Sequence, residues 1–157
     1  MSLEAWACLS VAAPLVTFFA VLLGLSRWPT AAVGLSLITA TIACVGTWML
    51  ALSVEPGQVY DIYSPWASTP DFTIHFGFRL AGLSTAMGVV VGTIHLLVQL
   101  YSVGYMAHDP AKARYFGTMS LFATAMLTVV LAADLAQTFI AWELVGLASY
   151  LLIGFWG

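Results

Sequence analysis

AAVGLSLITATIACVGTWMLALS, residues 31–53, contains no charged side chain and no proline. An α-helix needs about 20 mostly apolar residues to cross the hydrocarbon of a bilayer, and this stretch supplies them. Polar punctuation stands on both sides, with Arg27, Trp28 and Pro29 before it and Glu55, Pro56 and Gly57 after it. Working outward, the same reading applies to Leu3–Leu25, Leu80–Tyr101, Tyr115–Ala132 and Leu135–Trp156. The sequence therefore predicts an all-α membrane protein of five transmembrane helices. Asp134 between the last two makes them a tight helical hairpin.

Composition agrees. Of 157 residues, 62% are hydrophobic and 7% are charged. A soluble domain carries about 25% charged residues. The net charge of -3 and the lack of any basic cluster exclude a phosphate-tracking surface, so no nucleic acid partner is expected. The bilayer itself is the first partner. An acid, Glu4, stands where a cleaved signal peptide carries bases, so the first segment is expected to span. Cys8 and Cys44 lie inside apolar runs without CxxC spacing and are expected to be small core residues.

The longest polar stretch is Val54–Arg79. Pro56, Pro65 and Pro70 exclude a continuous helix there. Phe72, Ile74, Phe76 and Phe78 alternate with Thr73, His75, Gly77 and Arg79. A period of two marks a strand, and Val59–Tyr63 is expected to pair with it as a short β-hairpin on the helix ends. His75 falls on the polar face and is expected at the surface.

Loop charges set the orientation. Glu4, Glu55, Asp61, Asp71 and Asp134, with Arg79, lie on the N-terminal side, here side A. Arg27, Lys112 and Arg114, with Asp109, lie on side B. The positive-inside rule places side B in the cytoplasm and the N-terminus outside. His108 reads as part of a solvated connector. Residues 1–157 are expected to form one transmembrane domain, with 54–79 as its extracytoplasmic loop.

Glu143 is the most informative residue. It lies deep in the fifth segment, where an ionised carboxylate is costly unless protonated, paired or hydrated. Such a group is suited to carrying protons; a structural carboxyl bonded to a neighbouring helix is the alternative. Gly146 and Tyr150 share its helical face and Ser149 lies nearby, which suits contact with another helix. The four Lys and Arg residues lie at segment ends or in loops, so a cation for Glu143 must come from elsewhere. His95 lies deep in the third segment, and imidazole exchanges a proton near neutral pH. A hydrogen-bonded structural role weighs equally for it. Gln99 shares its face. Ser84, Gly88 and Gly92 form a row of small residues that marks a packing face. No nucleotide, flavin or iron–sulfur motif is present, so no cofactor and no redox chemistry are expected on this chain.

Leu100-Tyr101-Ser102-Val103-Gly104-Tyr105-Met106, Asp109 and Arg114-Tyr115-Phe116 resemble the antiporter-like subunit L family of respiratory complex I, chain 5 in mitochondria. So does the long run Trp142-Glu143-Leu144-Val145-Gly146-Leu147-Ala148-Ser149-Tyr150-Leu151-Leu152-Ile153-Gly154-Phe155-Trp156. Phe76–Leu80 and Gly82–Ser84 fit the same family; the first two segments match it in hydropathy alone. The resemblance implies an N-terminal piece of a proton-translocating subunit of NADH:quinone oxidoreductase, in a bacterial inner membrane. NADH, FMN, iron–sulfur clusters and quinone would sit on other subunits. By the motif, Glu143 pairs with a Lys on a later helix. Family members are several times longer, so a partner chain or absent sequence is expected to supply the missing helices and the intramembrane Lys.

Two positions depart from the family pattern: Ala81 stands where Asp is usual and Gln99 where His is usual. His95, one turn earlier on the same face, is expected to substitute for that His. Related subunits of multisubunit cation/proton antiporters and inorganic-carbon uptake systems fit the same residues. A non-pumping structural remnant is the third reading.

Overall fold

The computed structural model describes residues 3–55, 57–70 and 72–154, and within 62–69 and 72–76 the backbone alone. Its elements run α1 (Leu3–Leu23), a short 3-10 turn (Leu25–Arg27), α2 (Pro29–Ser53), β1 (Tyr60–Thr69), β2 (Phe72–Leu80), α3 (Gly82–Tyr105), α4 (Lys112–Leu131) and α5 (Leu135–Ile153). All five α-helices are long and apolar enough to cross a membrane. Each expected segment is recovered, with ends moved by a few residues. α2 begins on Pro29, because the first helical position can spare its N–H.

α1–α4 pack as a bundle. α4 touches α1, α2 and α3, and α5 lies along α4. The buried faces of α1–α3 are made mostly of small and hydroxyl-bearing residues, while α4 also buries Phe116, Leu127 and Leu131. On α3 they are Thr85, Gly88, Gly92, His95, Gln99 and Ser102. The larger apolar side chains, such as Leu83, Ile94 and Leu97, point outward. In lipid, tails solvate Leu as well as another helix would, so close backbone approach and interhelical hydrogen bonds decide which face is inside. Gly92 shows this most directly. A Cβ there would stand 2.6 Å from Thr47 Oγ1 of α2. Gly88 and Gly92 are thus packing residues as expected. Ser84 is not part of that face. It sits in the first turn of α3, where its hydroxyl accepts the Ala81 N–H at 2.8 Å.

α1 contains Pro14, which cannot donate to the Ser10 carbonyl one turn earlier. One residue on, the Val11 carbonyl accepts Thr124 Oγ1 of α4 at 2.9 Å. That bond ties α1 to α4 beside the break, on a neighbouring carbonyl. Cys8 is exposed and Cys44 half-buried, which corrects the expectation of two core thiols. On a helix solvated by lipid, an apolar run does not imply an inward face.

β1 and β2 pair antiparallel from Tyr60↔Leu80 to Thr69↔Phe72. The hairpin is longer than Val59–Tyr63 suggested. Its register shifts between Pro65 and Ala67, and a bulge is one of the places a strand tolerates proline. The expectations for the side chains of Phe72, Ile74, Phe76 and His75 lie outside the described residues. The base of the hairpin sits on the side A helix ends. Tyr60 and Phe78 pack against a cluster of Ala7, Leu50, Val54, Leu80 and Leu131. Phe78 also bridges Ala132, just past α4. Gly77, at φ 150°, takes a conformation open to glycine, and its N–H donates to Gln137 Oε1 of α5 at 3.1 Å. The hairpin thus joins the ends of helices that the chain visits at different times.

Candidate functional site

Two polar places lie inside the spanning region. The first is on α5. Asp134 caps the helix, its carboxylate accepting Ala136 N–H at 2.7 Å. Gln137, Ala141 and Ala148 are its buried residues, spaced as one face against α4. Glu143 follows Ala141 by two residues, about 200° around the helix, so it points away from α4. It is exposed, with no hydrogen-bond or ion-pair partner among the described residues. Gly146 and Tyr150 extend the same outward face. No atom lies within 4 Å of where a Gly146 Cβ would stand, and Tyr150 is 73% exposed. Ser149 is half-buried to one side. The packing face anticipated around Glu143 is thus uncovered among the described residues. The carboxylate lies about 12 Å along the helix from Leu135, far from either end.

The second place is the junction of α2, α3 and α4. His95 and Gln99 are one turn apart on α3 and are 6% and 1% exposed. Ser36 Oγ of α2 donates to Gln99 Oε1 at 2.8 Å and lies 3.3 Å from Ser120 Oγ of α4. Ser120 Oγ also lies 2.9 Å from the Phe116 carbonyl. A hydroxyl has one proton to give, so this pair holds more acceptors than donors. Thr39 Oγ1 donates to the Ser36 carbonyl at 3.1 Å and lies 2.6 Å from Thr17 Oγ1 of α1. Toward side B, Ser102 Oγ and Tyr115 Oη are 3.0 Å apart. His95 Nε2 and Gln99 Nε2 are buried without a partner. A cavity of about 250 Å³ beside His95 is otherwise lined by apolar residues of α3 and α4, such as Val91, Val98 and Phe122.

The shared face of His95 and Gln99 was readable from their spacing. Ser36 and Ser120 were not, because nothing local says which helices become neighbours. Gln137 was missed too; a polar side chain in the first turn of α5 was its one signal. Glu143 and His95 are not brought together: α5 packs along α4, and α3 packs on α2 and α4.

Residues 66–116 match the family model described as NADH-Ubiquinone oxidoreductase (complex I), chain 5 N-terminus. The match covers the second half of the hairpin, α3 and the start of α4. The chain is homologous to the N-terminal region of complex I chain 5. An NAD(P)H-quinone oxidoreductase chain 5 from Picosynechococcus sp. is 41% identical over 122 residues, covering 78% of this chain and 18% of the relative. The Synechocystis sp. chain 5 is 43% identical over 121 residues, covering 73% of this chain and 18% of that protein. The chloroplastic subunit 5 of Nuphar advena is 37% identical over 151 residues, covering 91% of this chain and 20% of its own length. The chain therefore spans about a fifth of the length of these chain 5 relatives. This alignment with Nuphar advena covers too much of the chain to leave out both of the first two helices, whose resemblance had rested on hydropathy alone.

Proposed function

We propose that this chain is the N-terminal part of a proton-translocating membrane-arm subunit of an NAD(P)H-quinone oxidoreductase. The observation that carries the reading is Glu143: a carboxylate in mid-helix, on the face of α5 that no described residue covers, within a chain homologous to chain 5. Against lipid that face would strand a titratable group in hydrocarbon. Against further helices of the same subunit, or a partner chain, it gains a cation and becomes one half of a switchable ion pair. His95, in its hydroxyl-rich junction, is the second proposed proton carrier. Gln99, Gly88 and Gly92 support that junction, and Gly146, Ser149 and Tyr150 frame Glu143.

Electron transfer from nicotinamide through flavin and iron–sulfur centres to quinone belongs, in this proposal, to partner subunits. This chain contributes to the translocase without redox chemistry of its own. It forms one membrane domain with the hairpin loop outside and side B in the cytoplasm of a bacterium, or in the equivalent compartment of an organelle.

The test is Glu143→Gln in the intact complex, comparing protons moved per quinone reduced with wild type. Loss of proton movement in the assembled complex, retained in Glu143→Asp, supports the proposal. An unchanged proton yield in the assembled Gln variant sinks it. Mass spectrometry of the subunits that co-purify separates a quinone oxidoreductase from a cation/proton antiporter or carbon-uptake assembly.

A further inference from the structure

We propose that the groove between α1 and α4 at the side B end binds a membrane phospholipid with an anionic headgroup. The groove has a volume of about 260 Å³. Phe18, Val21 and Leu22 near the end of α1 form one wall, and Gly117 and Thr118 near the start of α4 form the other. Arg114 and Ser26 stand at its polar end.

The lining divides by depth as a lipid does. Val21 and Gly117 close the floor, where a Cβ on Gly117 would come within 3.1 Å of Val21. Leu22 is exposed and opens the groove sideways to hydrocarbon. The Thr118 hydroxyl is turned to the Arg114 carbonyl at 2.8 Å, so it offers the groove its methyl group. The apolar part therefore suits an acyl chain. At the mouth the chemistry changes to a guanidinium and a hydroxyl, donors that suit a phosphodiester.

Charge complementarity selects the headgroup. Arg27, Lys112 and Arg114 are three of the four basic residues in the chain, and all belong to this end of α1 and α4. The 3-10 turn that carries Arg27 packs against α4. Trp28 is exposed beside Arg27, as an interfacial aromatic anchor would be. Basic residues at the cytoplasmic membrane surface attract anionic lipid. This site is independent of proton transport and of Glu143.

The test uses the intact complex purified in a mild detergent, with phospholipid per complex measured by mass spectrometry and lipid density examined in the groove. The probe is re-addition of phosphatidylcholine vesicles with or without phosphatidylglycerol. The expected result is a phospholipid retained at Arg114, with phosphatidylglycerol taken in preference to phosphatidylcholine. Arg114→Gln should remove that preference and Arg114→Lys restore it. Leu22→Trp should expel the acyl chain without changing any charge, and it decides the matter if Arg114→Gln fails to assemble. A groove filled by a protein helix, or phospholipid content and preference unchanged in assembled Leu22→Trp, overturns the proposal.

Discussion

Gly92→Ala should loosen the α2–α3 interface, while Gly88→Ala, one turn away, should not. A Cβ on residue 92 would stand 2.6 Å from Thr47 Oγ1 and 3.4 Å from the Ala43 carbonyl and Cys44 Cα. Thr47 cannot simply turn aside, because its hydroxyl donates to the Cys44 carbonyl at 2.9 Å. A Cβ on residue 88 would meet Thr47 Cγ2 at 3.7 Å and Leu131 Cδ2 at 3.8 Å, ordinary contact. Overpacking costs about 1–3 kcal/mol. Alanine recovers about 1 kcal/mol of helix propensity over glycine. The balance for Gly92→Ala is a loss of up to about 2 kcal/mol, at most a roughly 30-fold shift toward the separated state. For Gly88→Ala the propensity gain is unopposed.

Thermal unfolding of the purified, detergent-solubilised protein measures this directly. Trp48 is a built-in reporter of the interface, since its Nε1–H donates to Thr93 Oγ1 across it at 3.1 Å. Gly92→Ala should melt lower with altered Trp48 emission, and adding Thr47→Ala should recover much of the loss. Equal melting of the two alanine variants, or no recovery in the double variant, would refute the steric reasoning.

Three further outcomes follow from named bonds. Gln137→Leu leaves the Gly77 N–H without its acceptor, at a cost of about 1–3 kcal/mol, and should speed amide exchange at the base of the hairpin. Ala81→Asp puts a side-chain acceptor on an N-cap whose backbone is already extended, at φ -135° and ψ 171°. A gain of about 1 kcal/mol is expected, read as a higher melting temperature; no gain would mean that Ser84 already satisfies that end. Ser36→Ala removes the donor to Gln99 and should lower the melting temperature by more than Thr41→Ala, whose hydroxyl bonds only its own helix on an exposed face.

What was readable in the sequence was what depends on neighbours along the chain. Five spans follow from hydropathy, which is a local sum. The second strand follows from the period of two in Phe72–Arg79, and the shared face of His95 and Gln99 from the helical repeat. The first strand was read too short. Pro65 marked no strand end, because the register shift beside it lets β1 run on to Thr69. The row Ser84–Gly88–Gly92 was extended one turn too far, into the position where serine caps the helix instead. Partnerships between distant residues, such as Ser36 with Ser120 or Gln137 with Gly77, had no local signal at all.

The same distinction bears on Glu143. In water, an outward face is polar and an inward one apolar. In this bundle that relation does not hold: small and polar residues such as Ser36, Thr47, His95 and Gln99 face in beside Leu50, Phe116 and Leu131, and many Leu, Ile and Phe face out. α5 follows this pattern on its outer side with Phe139, Trp142 and Leu147. Glu143, Gly146 and Tyr150 break it, since a glycine beside polar side chains on one face resembles the buried face of α3, where Gly88 and Gly92 lie beside His95 and Gln99. By that criterion we propose that the α5 face is an interior face whose other half lies outside the described residues. Covering it with a helix that brings a cation would complete a site with the same small and polar composition as the His95 junction.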